Sequence, residues 1–234
     1  MSEDLEGVSV VIPVRNGTKY VLEAIDSCLD QTLPVREIVV VDDGSIDGTP
    51  DTIRAARHPN VRVLEQTWKG TSAALNAGIM ATDPQAAVIC FLDHDDVWMP
   101  HKTALQVEAL RLDRSLDAVF GHILQFVSPE LTVSESQRLG APSKPQAAPC
   151  ISTMMIHRSA LRRFGDFLER PDAFAFAPWY LRAQRAGITV GMLGTTIAKR
   201  RIHFENATKT ERRHYEDAYL ELARAAALNR RGKR

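Results

Sequence analysis

The sequence predicts an α/β fold with a Rossmann-like, mostly parallel central sheet that is flanked by helices. Short apolar runs alternate with helical patterns along the first half of the chain, and two of these runs end in clusters of aspartate. Continuous apolar runs are typical of strands buried on both faces, and ligands of open α/β sheets bind where such strands end. With 234 residues the chain can bury one sizeable core, so we expect a single domain covering residues 1–234.

The first half of the chain is predicted to contain four strands and three helices in alternating order. Strands are expected on the apolar runs at residues 8–14, 37–41, 61–64 and 87–92. Helices are expected over about 18–31, after the turn Arg15-Asn16-Gly17, from residue 47 onwards, and over 71–81. Because parallel strands end at one edge of a sheet, the aspartates after the second and fourth strands should face the same cleft.

The second half of the chain has weaker patterns. Strands are expected at residues 117–127, 150–157 and 188–193, and helices over about 101–114, 158–164 and 179–186, with a charged helix in the remainder. Four prolines at residues 128–149 indicate a long loop rather than a domain boundary. Loops of this length often cover active sites.

The composition limits the partners and the compartment of the protein. Lys plus Arg and Asp plus Glu number 29 each, so no overall field favours binding to nucleic acid or to an anionic membrane. The three cysteines, Cys28, Cys90 and Cys150, are odd in number and widely spaced, which is typical of reduced thiols. The acidic first residues and the lack of a long apolar run predict no secretory signal and no transmembrane segment. We expect a cytoplasmic protein, with peripheral membrane association as an alternative.

The segment Asp93-His94-Asp95-Asp96 directly follows the apolar run at residues 87–92 and predicts a metal site. Several carboxylates at one strand end repel each other unless a cation neutralises them. Oxygen-rich sites of this kind suit Mg²⁺ or Mn²⁺. The alternative is an acidic loop in solvent, because a pair of aspartates at this spacing often occurs by chance.

The chain resembles family 2 glycosyltransferases, which have the GT-A fold, over almost its whole length. The matching segments, in chain order, are Val10-Val11-Ile12-Pro13-Val14-Arg15-Asn16, residues 40–49, Phe91-Leu92-Asp93-His94-Asp95-Asp96, residues 154–161 and 164–167, and Arg200-Arg201-Ile202-His203-Phe204-Glu205-Asn206. The resemblance implies transfer of a sugar from a nucleoside diphosphate donor, with a UDP-sugar favoured, to an acceptor hydroxyl with inversion. It also implies that about residues 1–100 bind the nucleotide sugar and about 101–234 face the acceptor, which is a glycan, a lipid-linked molecule or a small molecule.

The resemblance assigns a Mn²⁺ or Mg²⁺ site to the acidic segment. Asp95 matches the metal-binding aspartate of the family, and Asp93 would support it directly or through water. His203 matches a late histidine that can complete the metal shell, with Arg200 and Arg201 beside it as candidate phosphate ligands. The alternative for this late segment is a surface loop with solvated arginines.

The resemblance also places the nucleotide at the ends of the first two strands. Asp42 and Asp43 would contact the base or ribose, Pro13 and Arg15 would line the same pocket, and His94 would face the nucleotide. A carboxylate that accepts the N3 hydrogen of uracil discriminates strongly against a mismatched base. The alternative is that Asp43-Gly44-Ser45 forms a turn in which aspartate caps a helix.

Two positions depart from the family pattern. Phe176 stands where the family commonly has an acidic general base, so Asp172 is the predicted catalytic base of this chain. Leu75 stands where the family usually has an arginine, and Lys69 or Arg15 could compensate. These departures leave open a degenerate enzyme or a non-catalytic module that binds nucleotide sugars or glycans. A nucleotidyltransferase is a poorer alternative, because residues 8–17 lack a glycine-rich phosphate loop.

Overall fold

The computed structural model describes residues 7–169 and 175–206, which form one nine-stranded sheet with helices packed against it. The strands are β1 (Val8–Val14), β2 (Glu37–Asp43), β3 (Val61–Gln66), β4 (Val88–Phe91), β5 (Val97–Trp98), β6 (Ala118–Val127), β7 (Gln146–Ala148), β8 (Met155–His157) and β9 (Val190–Ile202). The helices are α1 (Val21–Leu29), α2 (Thr49–Ala55), α3 (Thr71–Ala81), α4 (Lys102–Leu112), α5 (Val133–Leu139), α6 (Arg158–Phe164) and α7 (Phe176–Arg185). The predicted α/β fold is confirmed.

The four N-terminal strands are parallel and bring the two acidic clusters to one edge of the sheet. The sheet order is β3-β2-β1-β4-β8-β6-β9-β5, with β7 paired to β6. All seven residues of β1 are buried, as the continuous apolar run predicts. The register pairs Val14 of β1 with Asp42 of β2, and Val11 of β1 with Phe91 of β4. The carboxyl ends of β2 and β4 therefore flank the end of β1.

Helix α3 lies against β1 and β2 at a very short distance, which a glycine makes possible. A Cβ atom at Gly78 would lie 2.3 Å from Cγ1 of Val11 and 3.2 Å from Cγ2 of Val41. Ala73, Ala74 and other small residues on the same helix are also buried. The small residues of α3 thus determine how closely the helix approaches the sheet.

The second half of the sheet differs from the prediction in three places. The predicted loop at residues 128–149 contains α5 and β7, and the predicted strand at 150–157 is a 3₁₀ turn at Ile151–Thr153 followed by the short β8. Strand β9 continues well beyond residue 193, so residues 194–202 are not part of a charged helix. Pairing with β6 and β5 explains this extension, because these long-range contacts satisfy the backbone of a segment with little apolar periodicity.

The remaining expectations concern cysteines and membrane segments. The thiols of Cys28, Cys90 and Cys150 are free. In the parts of the chain that the structure describes, the helices are too short or too polar to cross a bilayer. Residues 207–234, which include most of the predicted C-terminal helix, lie outside the described residues.

We predict that Gly78→Ala destabilises the protein by about 1–3 kcal/mol, because the added methyl group overlaps Val11. Helix propensity alone predicts the opposite sign, since alanine is favoured over glycine inside a helix by about 1 kcal/mol. Urea unfolding measures the difference. Gly194→Ala in strand β9 is the control for an added methyl group without overlap, because no atom lies within 4 Å of its added Cβ. A Gly78→Ala protein as stable as the wild type would contradict the packing described for α3.

Candidate functional site

Asp42 at the end of β2 has one buried carboxylate oxygen without a hydrogen-bond partner. Its Oδ2 atom accepts a hydrogen bond from the backbone N–H of Ser45 at 3.0 Å. Its Oδ1 atom is buried and has no partner among the described residues. An unpaired buried acceptor costs about 1–3 kcal/mol, so such atoms are rare unless a ligand satisfies them. Asp42 is therefore suited to accept a hydrogen bond from a bound molecule.

Asp43, the neighbouring predicted nucleotide ligand, is used within the protein. Oδ1 of Asp43 accepts hydrogen bonds from the Gln66 side chain and the backbone N–H of Lys69, both at 2.8 Å. Its Oδ2 atom accepts from the backbone N–H of Gly70, the residue before α3, at 2.8 Å. Asp43 thus holds the residues that precede α3, whereas the alternative considered from the sequence was a cap on the next helix in the chain, α2.

The loops after β1 and β2 are joined by side-chain hydrogen bonds. The backbone N–H of Asn16 donates to Oγ of Ser45 at 2.8 Å, and the backbone N–H of Ile46 donates to the Asn16 side chain at 2.9 Å. The N–H of Gly17 donates to Oγ1 of Thr49 at 2.9 Å. These contacts hold the two loops beside the free oxygen of Asp42.

Pro13, Arg15 and His94 lie at the same edge of the sheet. Pro13 is buried within β1, whereas Arg15 is exposed just beyond the end of that strand. The imidazole of His94 packs on Gly17, because a Cβ there would lie 2.6 Å from its Cδ2 atom. His94 therefore connects the acidic segment to the loop after β1, on the side where the nucleotide was predicted.

The acidic segment is in contact with residues from the end of β9. Oδ2 of Asp95 lies 3.0 Å from Nε2 of His203 and accepts a hydrogen bond from the Asn206 amide at 3.1 Å. Burial opposes ionisation of Asp95, but the hydrogen bond with His203 and the charges of His94 and His203 together outweigh burial and lower the pKa of Asp95 to about 2. Because an ionised carboxylate only accepts hydrogen bonds, Nε2 of His203 is the donor. Two predicted metal ligands far apart in sequence are thus brought together.

The other two aspartates of the segment are harder to ionise. Burial raises the pKa of Asp93 to about 6, and the negative charge of Asp95 adds to the rise. Burial also raises the pKa of Asp96, whose oxygens accept hydrogen bonds from the Ser152 hydroxyl at 2.7 Å and the Arg201 backbone at 3.1 Å. The positive charge of Arg200 opposes both rises. The cluster therefore lacks enough positive charge to hold all its carboxylates ionised.

Arg201 stabilises the acidic segment from inside the protein. Its side chain is only 2% exposed, and its Nε–H donates to the backbone oxygen of Asp95 at 3.0 Å. The guanidinium also forms an ion pair with Glu23 at 2.5 Å and lies over the rings of Tyr20 and Phe126. The predicted phosphate contact of Arg201 does not fit this buried position.

The donor atoms of the cluster fit a divalent cation that keeps other ligands. Among the described residues, no three His, Cys, Asp or Glu side chains are grouped to enclose a metal by themselves. Asp95 Oδ2 and His203 Nε2 lie 3.0 Å apart through a hydrogen bond, and both could ligate one octahedral ion if that hydrogen bond were given up. Mg²⁺ and similar ions retain water and phosphate oxygens. His203 can ligate through Nε2 once its proton resides on Nδ1.

The predicted base, Asp172, lies outside the described residues. Phe176, at the position where an acid was expected, stacks on Tyr180 with ring centroids 5.2 Å apart and contacts Phe120. Leu75, at the position of the usual arginine, is completely buried in the core. Both departures from the family pattern are therefore packing residues of this chain.

Three residues near the site were not given a role from the sequence. Asn206 lies within the late segment that resembles the family, and this was a usable signal. Ser152 and Trp68 gave no such signal. The Ser152 hydroxyl bonds to Asp96 and accepts from the backbone N–H of Asp93, and Trp68 is an exposed ring after β3. Their positions follow from contacts between distant segments.

Comparisons with known proteins find relatives of this chain. The chain is 30% identical over 224 residues to an uncharacterized glycosyltransferase of Rickettsia felis, covering 90% of this chain and 36% of that relative. The chain spans less than half the length of the curated relatives it matches.

Two solved structures share the fold. A mannosyltransferase from Pyrobaculum calidifontis, in complex with GDP-Man and Mn²⁺, has a TM-score of 0.68 at 23% identity, covering 93% of this chain and 64% of the other. S. aureus TarS 1-349, in complex with UDP-GlcNAc, has a TM-score of 0.65 at 20% identity, covering 87% and 60%.

A sequence model of one family covers most of the described chain. The model for glycosyl transferase family 2 matches residues 9–180, which include β1 to β4, both acidic clusters and α6. From this match and the shared fold, we conclude that the chain belongs to glycosyl transferase family 2.

Proposed function

We propose that this chain transfers a sugar from a UDP-sugar to an acceptor hydroxyl, with inversion and with Mn²⁺ or Mg²⁺ as cofactor. The observation that carries the proposal is the unpaired Oδ1 atom of Asp42, at the same sheet edge as the Asp93 and Asp95 cluster. A nucleoside diphosphate sugar needs both features: an acceptor for its base and positive charge near its phosphates. The relatives crystallised with UDP-GlcNAc and with GDP-Man and Mn²⁺ support the class of donor.

The single free oxygen of Asp42 favours uridine over guanosine. Uracil has one N–H donor between two carbonyl groups, whereas guanine presents two adjacent N–H donors that a carboxylate reads with both oxygens. Because Ser45 already donates to Oδ2 of Asp42, Oδ1 is the oxygen that has both lone pairs available to the base. The single N3–H of uracil needs only Oδ1, whereas the second donor of guanine would have to share Oδ2 with the backbone N–H of Ser45.

The acidic cluster is suited to the phosphate end of the donor. When the sugar leaves, negative charge builds up on the β-phosphate, and a bound divalent cation stabilises that charge as a Lewis acid. Asp95 stays ionised over the whole physiological range, because the pKa of its carboxyl is about 2. Asp95 would hold the cation with His203, and Asp93 would join them once a positive charge favours its ionised form. Arg201 keeps the segment in this position.

The acceptor must lose a proton while it attacks the sugar. We propose Asp172 as the base, because the described part of α7 places the Phe176 ring in an aromatic cluster where the family has an acid. The acceptor is a glycan, a lipid-linked molecule or a small molecule with a free hydroxyl. A second candidate function, a non-catalytic module that binds nucleotide sugars, is favoured by the same position of Phe176.

We predict that Asp42→Asn weakens UDP binding about 10- to 100-fold, because the amide N–H₂ group faces the N3–H donor of uracil. Calorimetry of UDP, GDP and inorganic pyrophosphate in the presence of Mn²⁺ separates the contribution of the base from that of the phosphates. Asp51→Asn is the control, since Asp51 is an exposed acid on α2. Unchanged UDP affinity in Asp42→Asn would remove Asp42 from the base site.

We predict that Mn²⁺ and UDP together raise the melting temperature, and that Asp95→Ala abolishes the metal-dependent part. Ligand at 100 times its Kd stabilises by about 2.7 kcal/mol, which corresponds to a shift of roughly 5–11 °C for a chain of this size. Differential scanning fluorimetry with and without EDTA measures the shift, and Asp51→Ala serves as the control. An Asp95→Ala protein that responds to Mn²⁺ like the wild type would refute the metal assignment.

We predict that Asp172→Asn lowers the rate of UDP release from a UDP-sugar by about 10²-fold or more, with little change in donor KM. Glu169→Gln is the matched control, because Glu169 is a nearby exposed acid. Release assays need no identified acceptor, since water can take the sugar. Equal rates for Asp172→Asn and the control would exclude Asp172 as the base, and a wild type without any release would favour the non-catalytic module.

A further inference from the structure

Trp68 is an exposed aromatic residue beside the Asp42 pocket that the mechanism above does not use. Its side chain is 53% exposed, whereas the other two tryptophans, Trp98 and Trp179, are at most 3% exposed. A single exposed apolar side chain is common on protein surfaces, so exposure alone does not indicate a binding site. The position of Trp68 beside Asp42 is what indicates a role in binding the same ligand.

The backbone around Trp68 is fixed against the end of β2. Strands β2 and β3 pair Asp42 with Glu65 and Asp43 with Gln66, so Trp68 follows the strand next to Asp42. A Cβ atom at Gly44 would lie 3.0 Å from the backbone nitrogen of Trp68, which shows how closely the two loops pack. The next N–H along the chain, that of Lys69, donates to Asp43. These contacts fix the backbone from which the Trp68 side chain extends.

Arg15 reaches the Trp68 ring from the opposite side of the same strand end. Val14 pairs with Asp42 in the register of β1 and β2, and Arg15 follows it directly. The guanidinium carbon of Arg15 lies 5.0 Å from the centroid of the Trp68 ring. The residues that follow β1 and β3 thus meet across the end of β2, where Asp42 presents its unpaired oxygen.

We propose that the indole of Trp68 is the stacking surface for the uracil of the donor, with Arg15 as a movable cover on that surface. This inference rests on the proposed function, because it assigns the flat face of the same base whose N–H edge Asp42 accepts. Indoles stack on nucleobases, and a guanidinium stacks on either ring. Asp42 then determines which edge of the base is read, and Trp68 holds the plane of the base.

A base that stacks on the ring face covered by Arg15 has to displace the Arg15 guanidinium. Stacked groups lie about 3.5 Å apart, so a base between the guanidinium and the indole needs about 7 Å, compared with the 5.0 Å observed. Arg15 is exposed, so its side chain can swing away and close over the base. Arg15 therefore covers the indole while the site is empty, and the base takes over that ring face.

The experiment compares Trp68→Ala, Trp68→Phe and wild-type protein by calorimetry with UDP or with inorganic pyrophosphate, each with Mn²⁺. Stacking predicts that Trp68→Ala weakens UDP binding about 10- to 100-fold and that Trp68→Phe restores most of the affinity. Pyrophosphate binding should not change, because pyrophosphate has no base. Met80→Ala, which removes an exposed apolar side chain from α3, is the control.

Tryptophan fluorescence gives a second readout. Because Trp68 is the exposed tryptophan of the three, UDP should quench the emission of wild-type protein and should not quench that of Trp68→Phe.

Three outcomes would overturn the proposal. In the first, Trp68→Ala binds UDP like the wild type while Asp42→Asn binds it more weakly. Trp68 and Arg15 would then be surface residues without a role in UDP binding, and the proposed function would stand. An equal loss of UDP and pyrophosphate binding would mean a disturbed loop rather than lost stacking. Wild-type affinity for UDP in both Trp68→Ala and Asp42→Asn would refute the base site itself.

Discussion

The burial of several carboxylates at one strand end is the constraint on which the rest of this structure depends. Asp93, Asp95 and Asp96 repel one another, and burial disfavours their ionised forms. The protein offsets part of this cost with hydrogen bonds from Ser152, His203, Asn206 and the backbone of Arg201. The remaining deficit of positive charge is what a divalent cation would supply.

The long strand β9 explains how a sequence of distant segments forms one site. It pairs with β6 along most of its length and ends beside the acidic segment, where Arg201 and His203 contact Asp95. Arg201 and His203, which belong to the predicted acceptor-side half, thus contact the acidic segment of the predicted donor-side half. The two halves that meet near residue 100 differ in their proposed roles and are not separate structural units, because both contribute strands to a single sheet.

The sequence was sufficient for the parts of the fold and site that depend on local patterns. Strands β1 to β4 were predicted from apolar runs, and helix α3 was predicted from a run of small residues. The common position of the aspartates was predicted because parallel strands end at the same edge of the sheet. Strand β9 was predicted too short, because Gly194 follows the predicted run and the residues after it show little alternation, so long-range pairing decides their state. The buried position of Arg201 and the internal bonds of Asp43 depend on contacts that local patterns do not contain.

The account is tested most directly by a crystal structure of the protein with Mn²⁺ and UDP, using anomalous scattering to locate the metal. We expect an anomalous peak about 2.1 Å from a carboxylate oxygen of Asp95, in contact with the diphosphate, and the uracil N3–H at Oδ1 of Asp42. The account would be contradicted by a structure with bound UDP in which Asp95 keeps its hydrogen bonds to His203 and Asn206 and no anomalous peak lies beside these residues.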